Sequence, residues 1–298
     1  MCGIVGLLVK NPALRGQLGE LMLPMLIGMA ERGPESAGLA VFTAPIKSNL
    51  KKLSLYSADP AFDWDGLDRS SRAQFGKDTS LTVRSNQAVL ETGADATAVK
   101  LWLKHDCPEI HVLSVGKRID LYKDTGTPGE VAERYRFSEL TGTHLVGHTR
   151  MATETAVTPE RAHPFTAGED FCLVHNGSLS NACSIRRKLE PLGIAFETDN
   201  DTEAACRFLE WRMREGDGLE AALHKGFEEL DGFYTFLMGT QDELALVRDA
   251  FSCKPAVVAE SDDYVAIASE FRSLAKLPGV KNAHIFEPNP EQVYIWRT

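Results

Sequence analysis

The sequence predicts an α+β fold in which helices pack against antiparallel sheets. Five apolar segments follow residue 231 with short turns between them: GFYTFLMGT, ELALVRDAF, PAVVAES, DYVAIAS and EQVYIWR. Strands joined by so few residues must be antiparallel. Long helical segments also stand between groups of strands, which favours layers of helices on sheets over a doubly wound parallel sheet.

The N-terminal elements can be taken in order. Residues 2–9 are apolar with two glycines and predict a buried strand. Leucines and methionines then repeat at helical spacing between residues 18 and 29, which predicts a helix packed on a sheet, because Met commonly fills irregular cores. GLAVF (38–42) predicts a second strand. The pattern weakens between about 44 and 80, which indicates an insertion or a surface excursion.

Regular patterns return beyond residue 90. They predict a helix over about 94–105, a strand at EIHVLSV, and a helix whose start, Thr127–Pro–Gly–Glu130, is a capping box. Two strands, THLVGHTR and DFCLVHNG, precede helices that begin after Ser180, near Asp201 and near Leu219. We therefore expect one domain over 1–298 with an insertion at about 44–110.

Composition excludes several classes of function. A chain of 298 residues, 43% hydrophobic, buries a sizeable core. Its formal net charge of -10 and the lack of a basic run argue against a nucleic-acid surface. The stretch LGELMLPMLIGMA carries Glu20 and Pro24 and is too short to span a bilayer, and no charged residue precedes Lys10, so we expect a cytoplasmic protein without membrane contact.

The cysteines and histidines predict no metal site. Six cysteines are scattered without a C-x-x-C pair, which suggests neither a zinc ribbon nor a redox dithiol. His144 and His148 are four residues apart in a predicted strand, and no third ligand is evident.

Cys2 has an unusual position directly after the initiator methionine. The thiolate is the nucleophile in cysteine catalysis, and a free thiol with a pKa of about 8.5 needs a base to ionise at pH 7. A cysteine at the chain end has its own α-amino group as that base, with a pKa of about 7.7–8.0, provided that Met1 is removed. Taken alone, Cys2 is better explained as a small core residue of the first strand.

Five further segments mix polar residues with glycine: ERGPESAG (31–38), GHTRMATE (147–154), AHPF (162–165), LVHNGSLSN (173–181) and TDNDTEA (198–204). With the CGI-x-G start, they resemble in order and spacing the class II glutamine amidotransferases. That family uses an N-terminal nucleophile to hydrolyse glutamine and hands the ammonia to a synthase. The resemblance covers roughly 2–43 and 110–250. It implies an N-terminal-nucleophile hydrolase fold, a four-layer αββα sandwich of two antiparallel sheets.

The resemblance implies a catalytic group of three residues. Cys2 would attack the side-chain amide of glutamine, and the Asn176 side chain with the Gly177 backbone N–H would stabilise the oxyanion. Such donors, placed in advance, typically contribute about 100- to 1,000-fold in rate. An alternative from the residues alone is that His-Asn-Gly is a plain turn at a strand end.

A pocket selecting free glutamine needs a cation for its α-carboxylate and an anion for its α-amine. Arg150 presents a planar fork of donors and matches the family's carboxylate-binding arginine. Thr153 would add a hydroxyl, and Asp201 would hold the ammonium. Alternatively, Arg150 pairs on the surface and Asp201 merely caps a helix.

Three supporting residues also match the family's motifs. Arg32 and Gly33 match its RG pair, which lies near the nucleophile, and His148 belongs to the GH-x-R motif. Two positions depart from the family pattern: Met151 replaces the usual aromatic residue, and Glu154 stands where sugar-linked members often have histidine. These departures concern pocket closure and the acceptor more than the nucleophile.

The acceptor of the ammonia is expected on another chain. Only some 50 residues follow position 250, too few for the synthase domain to which such amidotransferases are usually fused. The run VGKRIDLYKDTGTPGEVAERY most resembles the glutamate-synthase-related amidotransferase subunit of N-methylglutamate synthase. This implies a hetero-oligomer with glutamate-synthase-like partners, which would carry any flavin or iron–sulfur cluster, and no cofactor in this chain. Two alternatives stay open, a non-catalytic scaffold subunit and an amidase acting on another amide.

Overall fold

The computed structural model describes residues 2–151 and 158–298, and its sheets are all antiparallel. The largest sheet has seven strands, with the N-terminal strand in its middle. Their spatial order is β15 (His284–Phe286), β13 (Val257–Glu260), β14 (Tyr264–Ala268), β1 (Gly3–Val9), β8 (His144–Arg150), β2 (Ser36–Phe42) and β7 (Ile119–Thr125). The antiparallel α+β class predicted from the sequence is therefore confirmed.

A second sheet has five strands and faces the first. Its spatial order is β16 (Tyr294–Arg297), β12 (Glu243–Arg248), β11 (Gly232–Gly239), β10 (Cys172–Leu179) and β9 (Phe165–Thr166). Side chains alternate along each strand, so each sheet has two apolar faces to bury. In β1, for example, Ile4 and Leu8 pack toward the second sheet, while Val5, Leu7 and Val9 pack toward helices.

Helices cover the outer face of each of these sheets. On the seven-stranded sheet lie α1 (Leu18–Ile27), α4 (Pro128–Arg134) and α8 (Phe271–Leu274). On the five-stranded sheet lie α5 (Ala182–Leu189), α6 (Asp201–Arg214) and α7 (Leu219–Glu229). The four-layer αββα sandwich is thus confirmed. The capping box of α4 is also present, with the Glu130 backbone N–H donating to Thr127 Oγ1 at 3.3 Å.

Residues 51–116 form a separate four-stranded sheet with two helices, which we call the inserted unit because it overlaps the insertion expected from the sequence. It runs β3 (Lys51–Ser57), α2 (Trp64–Phe75), β4 (Ser80–Arg84), β5 (Gln87–Thr92), α3 (Ala96–Asp106) and β6 (Ile110–Gly116). The strand order β4-β5-β3-β6 with this βαββαβ connectivity is the ferredoxin-like topology. The weak pattern over 44–80 therefore contains regular structure, β3 and α2. Of the two interpretations given from the sequence, an insertion or a surface excursion, the surface excursion is wrong.

Charged residues at buried positions explain why that pattern was weak. Lys52, in β3, is 4% exposed and its ammonium pairs with Asp120 of β7 at 2.5 Å. We call this contact between the inserted unit and β7 the seam. It also includes the Leu121 N–H on Ser54 Oγ at 2.9 Å and the Gln87 amide on the Lys123 carbonyl at 2.6 Å. Polar residues at buried positions interrupt the apolar periodicity by which a strand is recognised in a sequence. For the same reason, β7 was not recognised from the sequence.

No helix in the described part of the chain is both long enough and apolar enough to cross a membrane.

Candidate active site

The first described residue, Cys2, is held by its backbone at the end of β1. β1 pairs with β14 on one side and β8 on the other. The Cys2 carbonyl accepts hydrogen bonds from Arg32 Nε at 2.9 Å and from Asn176 Nδ2 at 3.2 Å. Arg32 is itself fixed by an ion pair with Glu270 at 2.9 Å. Met1 lies outside the described residues, so its removal stays a prediction.

Ser269 ties the beginning of β1 to Asn176. Its backbone N–H donates to the Ile4 carbonyl at 3.0 Å, and its Oγ accepts from the Ile4 N–H at 3.0 Å and from Asn176 Nδ2 at 3.2 Å. Sequence reasoning missed Ser269 and Glu270 because they follow β14 in a segment without a recognisable motif. Only strand pairing brings them to the start of the chain.

A cleft of about 460 Å³ opens beside Cys2. Its lining includes the predicted residues Cys2, Arg150, Gly177 and Asp201, together with Met151, Arg161, His163, His175, Ser178, Leu179, Ala182, Asp199, Asn200 and Thr202. The structure therefore brings a thiol, a guanidinium and a carboxylate from distant parts of the sequence to one cavity. Thr153, also predicted to bind substrate, and Glu154 lie outside the described residues.

Gly177 occupies a position that only glycine fits. Its φ of +139° lies in the region that side chains disfavour, and a Cβ there would stand 2.0 Å from the Phe233 carbonyl oxygen. His-Asn-Gly lies inside β10, where Gly177 pairs with Tyr234 of β11. The alternative that these residues form a strand-ending turn is therefore wrong.

Asn176 is buried next to Cys2 and does not line the cleft. It is 3% exposed, and its amide nitrogen reaches both the Cys2 carbonyl and Ser269 Oγ. An amide has two N–H donors, so both are engaged in this state. Binding a substrate oxyanion would require Asn176 to exchange one of these acceptors for the substrate oxygen.

Arg150 ends β8 at the cleft, and its guanidinium donates to the Arg161 carbonyl at 2.9 Å. Gly33 packs against the same backbone, since a Cβ on Gly33 would stand 2.4 Å from the Arg150 nitrogen. Across the cleft opening, Arg161 pairs with Asp199 at 3.1 Å. Basic and acidic groups therefore share this cavity.

Asp201 is the first residue of α6 and is not its cap. Asn200 has that role, because its side chain accepts from the Thr202 N–H at 2.8 Å. One Asp201 oxygen accepts from the Leu179 N–H at 2.9 Å, and the side chain is 29% exposed. The capping alternative for Asp201 is thus unnecessary.

Three histidines form a buried layer beneath the cleft. Thr202 Oγ1 lies 2.9 Å from His163 Nε2 and 3.0 Å from His175 Nδ1. The rings of His148 and His163 stack with centroids 4.0 Å apart, and His148 Nε2 donates to the His175 carbonyl at 3.2 Å. The motifs AHPF and HNG contained the signal for His163 and His175, but sequence reasoning gave neither histidine nor Thr202 a role.

Burial keeps these histidines neutral. It lowers the pKa of His148 to about 3 and holds the pKa of His163 well below its usual range. Burial also lowers the pKa of His175, although the nearby Asp201 carboxylate opposes the shift. Among the described residues that line the cleft, the cationic side chains at pH 7 are therefore Arg150 and Arg161.

Comparison with known proteins agrees with this geometry. A family model described as a glutamine amidotransferase domain matches residues 148–276. The chain is 46% identical over 297 residues to the glutamine amidotransferase-like protein GlxB of Rhizobium meliloti (strain 1021), covering 99% of this chain and 98% of that protein. A putative glutamine amidotransferase of Methanothermobacter thermautotrophicus is 30% identical over 305 residues and 99% of both chains.

A solved structure supports the fold independently of close sequence identity. The glutamine phosphoribosylpyrophosphate amidotransferase of B. subtilis superimposes with a TM-score of 0.63 at 20% identity, over 99% of this chain and 47% of that one. Both the fold and the near-full-length match to GlxB lead to one assignment. The chain belongs to the glutamine amidotransferase family and has its N-terminal-nucleophile hydrolase fold.

Proposed function

We propose that this protein hydrolyses L-glutamine to glutamate and ammonia, with Cys2 as the nucleophile. The observation that carries the proposal is the meeting of Cys2, Arg150 and Asp201 in one cleft. Arg150 would bind the α-carboxylate and Asp201 the α-ammonium of glutamine. That pairing favours a free amino acid over the other amides considered from the sequence. Thr153 is proposed to add a hydroxyl to the same site.

The proposed reaction runs in two halves. After loss of Met1, the α-amine of Cys2 takes the thiol proton, and the sulfur attacks the amide carbon of glutamine. Asn176 and Gly177 would donate to the oxyanion, and the amine returns the proton as ammonia leaves. Water then cleaves the glutamyl thioester to release glutamate. Arg32, Gly33 and His148 hold the surrounding backbone and rings in place.

We further propose that the ammonia passes to a separate, glutamate-synthase-like partner, as in N-methylglutamate synthase. The sequence resemblance around residues 115–135 supports this choice. Two exposed phenylalanines are available to such a partner: Phe251 is 79% and Phe233 is 41% exposed, and Phe233 lies opposite Ser178 of the cleft lining in the β10–β11 pair. The Asp249 carboxylate accepts from the N–H groups of Tyr234 and Phe251, at 2.9 and 2.8 Å, which ties the residue after Phe233 to Phe251. The whole chain is proposed to act as one domain in that complex.

Removing the nucleophile tests the catalytic proposal. We expect Cys2→Ala to lower ammonia release from glutamine by at least about 1,000-fold, because no other group in the proposed route attacks the amide. Cys107→Ala, in the inserted unit, is the matched control and should keep the wild-type rate. The assay should include the protein co-purified with its native partners. If Cys2→Ala retained the wild-type rate, the proposal would fail; if the wild-type complex released no ammonia from glutamine, the scaffold reading would replace it.

Asp201 tests the choice of substrate. Asp201→Asn keeps an oxygen acceptor for the Leu179 N–H but loses the charge proposed to hold the ammonium. We expect its KM for glutamine to rise about 10- to 100-fold with a smaller change in kcat, as for a lost charged hydrogen bond. Wild-type enzyme should also discriminate against N-acetylglutamine. An enzyme that used both substrates equally would instead be a general amidase.

A further inference from the structure

A second cavity lies directly behind the wall of the cleft. It has a volume of about 80 Å³ and is lined by α3 and β6 of the inserted unit on one side and by β7 and α6 of the sandwich on the other. That volume holds a few water molecules and is less than a fifth of the cleft's, which is about 460 Å³ by the same measure. The cavity therefore restricts its occupant to a small molecule.

The cavity is strongly polar yet balanced in charge. Among its described lining residues, three side chains are cationic and three are carboxylates: Lys100, Lys123, Arg207, Glu160, Glu197 and Glu203. A lining with equal charges of both signs favours a zwitterion over a simple anion or cation, because either ion would meet as much repulsion as attraction. A free α-amino acid is the smallest common molecule with that charge pattern.

Not all of these charges are available to a ligand. Both Glu203 oxygens accept from the loop before α6, at 2.8 Å from the Glu197 N–H and 2.7 Å from the Thr198 N–H. The Lys123 ammonium reaches the carbonyls of residues 160, 162 and 164, at 3.4, 2.9 and 3.3 Å. These two groups build the walls of the cavity.

The remaining groups are placed for the two ends of an amino acid. Within the described part of the chain, Lys100 makes no hydrogen bond or ion pair. Arg207 Nη2 lies 3.3 Å from Glu203 and 3.6 Å from Glu197, but the buried Arg207 Nε has no hydrogen-bond partner and would be satisfied by a ligand carboxylate. Glu160 lies 3.8 Å from His111 Nε2 and Glu197 lies 3.6 Å from Arg207 Nη2, contacts longer than a hydrogen bond that an ammonium would replace.

The cavity and the cleft share two chain segments. Residues 160–163 present Glu160 to the cavity but Arg161 and His163 to the cleft. Likewise, residues 197–203 present Glu197, Thr198 and Glu203 to the cavity and residues 199–202 to the cleft. A molecule bound on one side therefore contacts the segments that position the other side.

We propose that this cavity between the inserted unit and the sandwich, which we call the seam cavity, binds a free α-amino acid with a short side chain, and that its occupancy alters the cleft through the shared wall. The carboxylate contacts Lys100 and the unpartnered Arg207 Nε. The ammonium contacts Glu160 and Glu197, and Glu197 gives up its 3.6 Å contact with Arg207 Nη2. The occupant is a different molecule from the glutamine proposed for the cleft, because the much smaller cavity favours a shorter side chain.

Calorimetric titration of the full-length protein with glycine, L-alanine and L-serine tests the binding. We expect one site per chain for at least one of them, and none for acetate or ethylamine at equal concentration, since each carries only one of the two charges. Lys100→Gln should weaken binding about tenfold. Lys104→Gln, one turn further along α3 and outside the cavity, should leave it unchanged.

The cleft itself also contains groups that attract an amino acid, so the titration needs a variant that separates the two places. Binding that survives Asp201→Asn but weakens in Lys100→Gln supports the seam cavity. Binding that is lost in Asp201→Asn and retained in Lys100→Gln places the amino acid in the cleft and overturns the proposal. Absence of binding by all three amino acids overturns it as well.

Coupling to the cleft is measured by the alkylation rate of Cys2 with iodoacetamide, followed at the Cys2 peptide by mass spectrometry. We expect at least a twofold change in that rate when the amino acid saturates the wild-type protein, and the same change in Lys100→Gln only at about tenfold higher concentration of the amino acid. An unchanged wild-type rate overturns the coupling. Neither measurement uses glutamine turnover, so each result is independent of the proposed glutaminase activity.

Discussion

The cleft and the seam both bury polar side chains, but they do so with opposite chemistry. Beneath the cleft, three neutral histidines are held together: Thr202 hydrogen-bonds His163 and His175, and His148 stacks on His163 and donates to the His175 carbonyl. At the seam the buried groups are ions, as in the Lys52–Asp120 pair at 2.5 Å. Paired ions fasten the inserted unit to the sandwich, whereas neutral rings add no charge that would compete with Arg150 or Asp201 for a ligand.

Breaking the seam pair should have the largest effect on stability. Lys52→Met would leave the Asp120 carboxylate buried without its partner, and burial already raises the pKa of Asp120. We expect the free energy of unfolding to fall by about 3–5 kcal/mol at pH 7, measured by urea denaturation. Lys225→Met removes a solvent-exposed partner of Glu228 and is the control, expected to unfold like wild type. Equal stability of the two variants would show that the seam pair does not fasten the unit.

The next largest effect is expected in acid, where the buried neutral histidines should lower the stability of the folded protein. Burial lowers the pKa of His144, a residue outside the cleft, to about 3, as it does for His148. Below pH 6.5 the unfolded chain binds a proton at each histidine while the folded protein does not, so stability falls as pH falls toward 3. Each such histidine should lower the free energy of unfolding by about 1.4 kcal/mol per pH unit, or by about 2 kcal/mol from pH 6.5 to 5.

Urea unfolding of wild type and His144→Gln at pH 6.5 and 5 isolates one such histidine. The variant should lose less stability over this interval than wild type, whatever its absolute stability, because one proton-binding group has been removed. Parallel losses in the two proteins would mean that carboxylates, and not the buried histidines, set the acid sensitivity.

Thr202 gives the smallest expected effect and concerns the cleft alone. Thr202→Val keeps the shape of the side chain but removes the hydroxyl between His163 and His175. Thr202 positions the two rings, so Thr202→Val should lower kcat/KM for glutamine about tenfold. Thr202→Ser keeps the hydroxyl and should stay close to wild type. If valine and serine behaved alike, packing and not hydrogen bonding would explain the position of the rings.

Strong local signals made most of the fold predictable. Apolar strands, the capping box at Thr127 and the short turns from β11 to β12 and from β13 to β14 appear where the sequence indicated them. The expected short turn before β16 is wrong, because α8 and β15 lie between β14 and β16. The inserted unit was harder, because Lys52 and Asp120 satisfy each other across the seam and give each strand a polar residue at a buried position. A pairing partner 68 residues away cannot be seen in a local pattern.

The sequence by itself determined the family resemblance and the candidate site residues, since Cys2, Arg150, Asn176, Gly177 and Asp201 lie in short motifs that can be recognised one at a time. Only the tertiary structure decided that four of them line one cleft while Asn176 lies behind it. It alone revealed Ser269, 265 residues from the Ile4 backbone that it binds, and the cavity behind the cleft wall. The physical reason is that motifs record local backbone requirements, whereas hydrogen bonds across strands and cavities between layers depend on how distant segments pack.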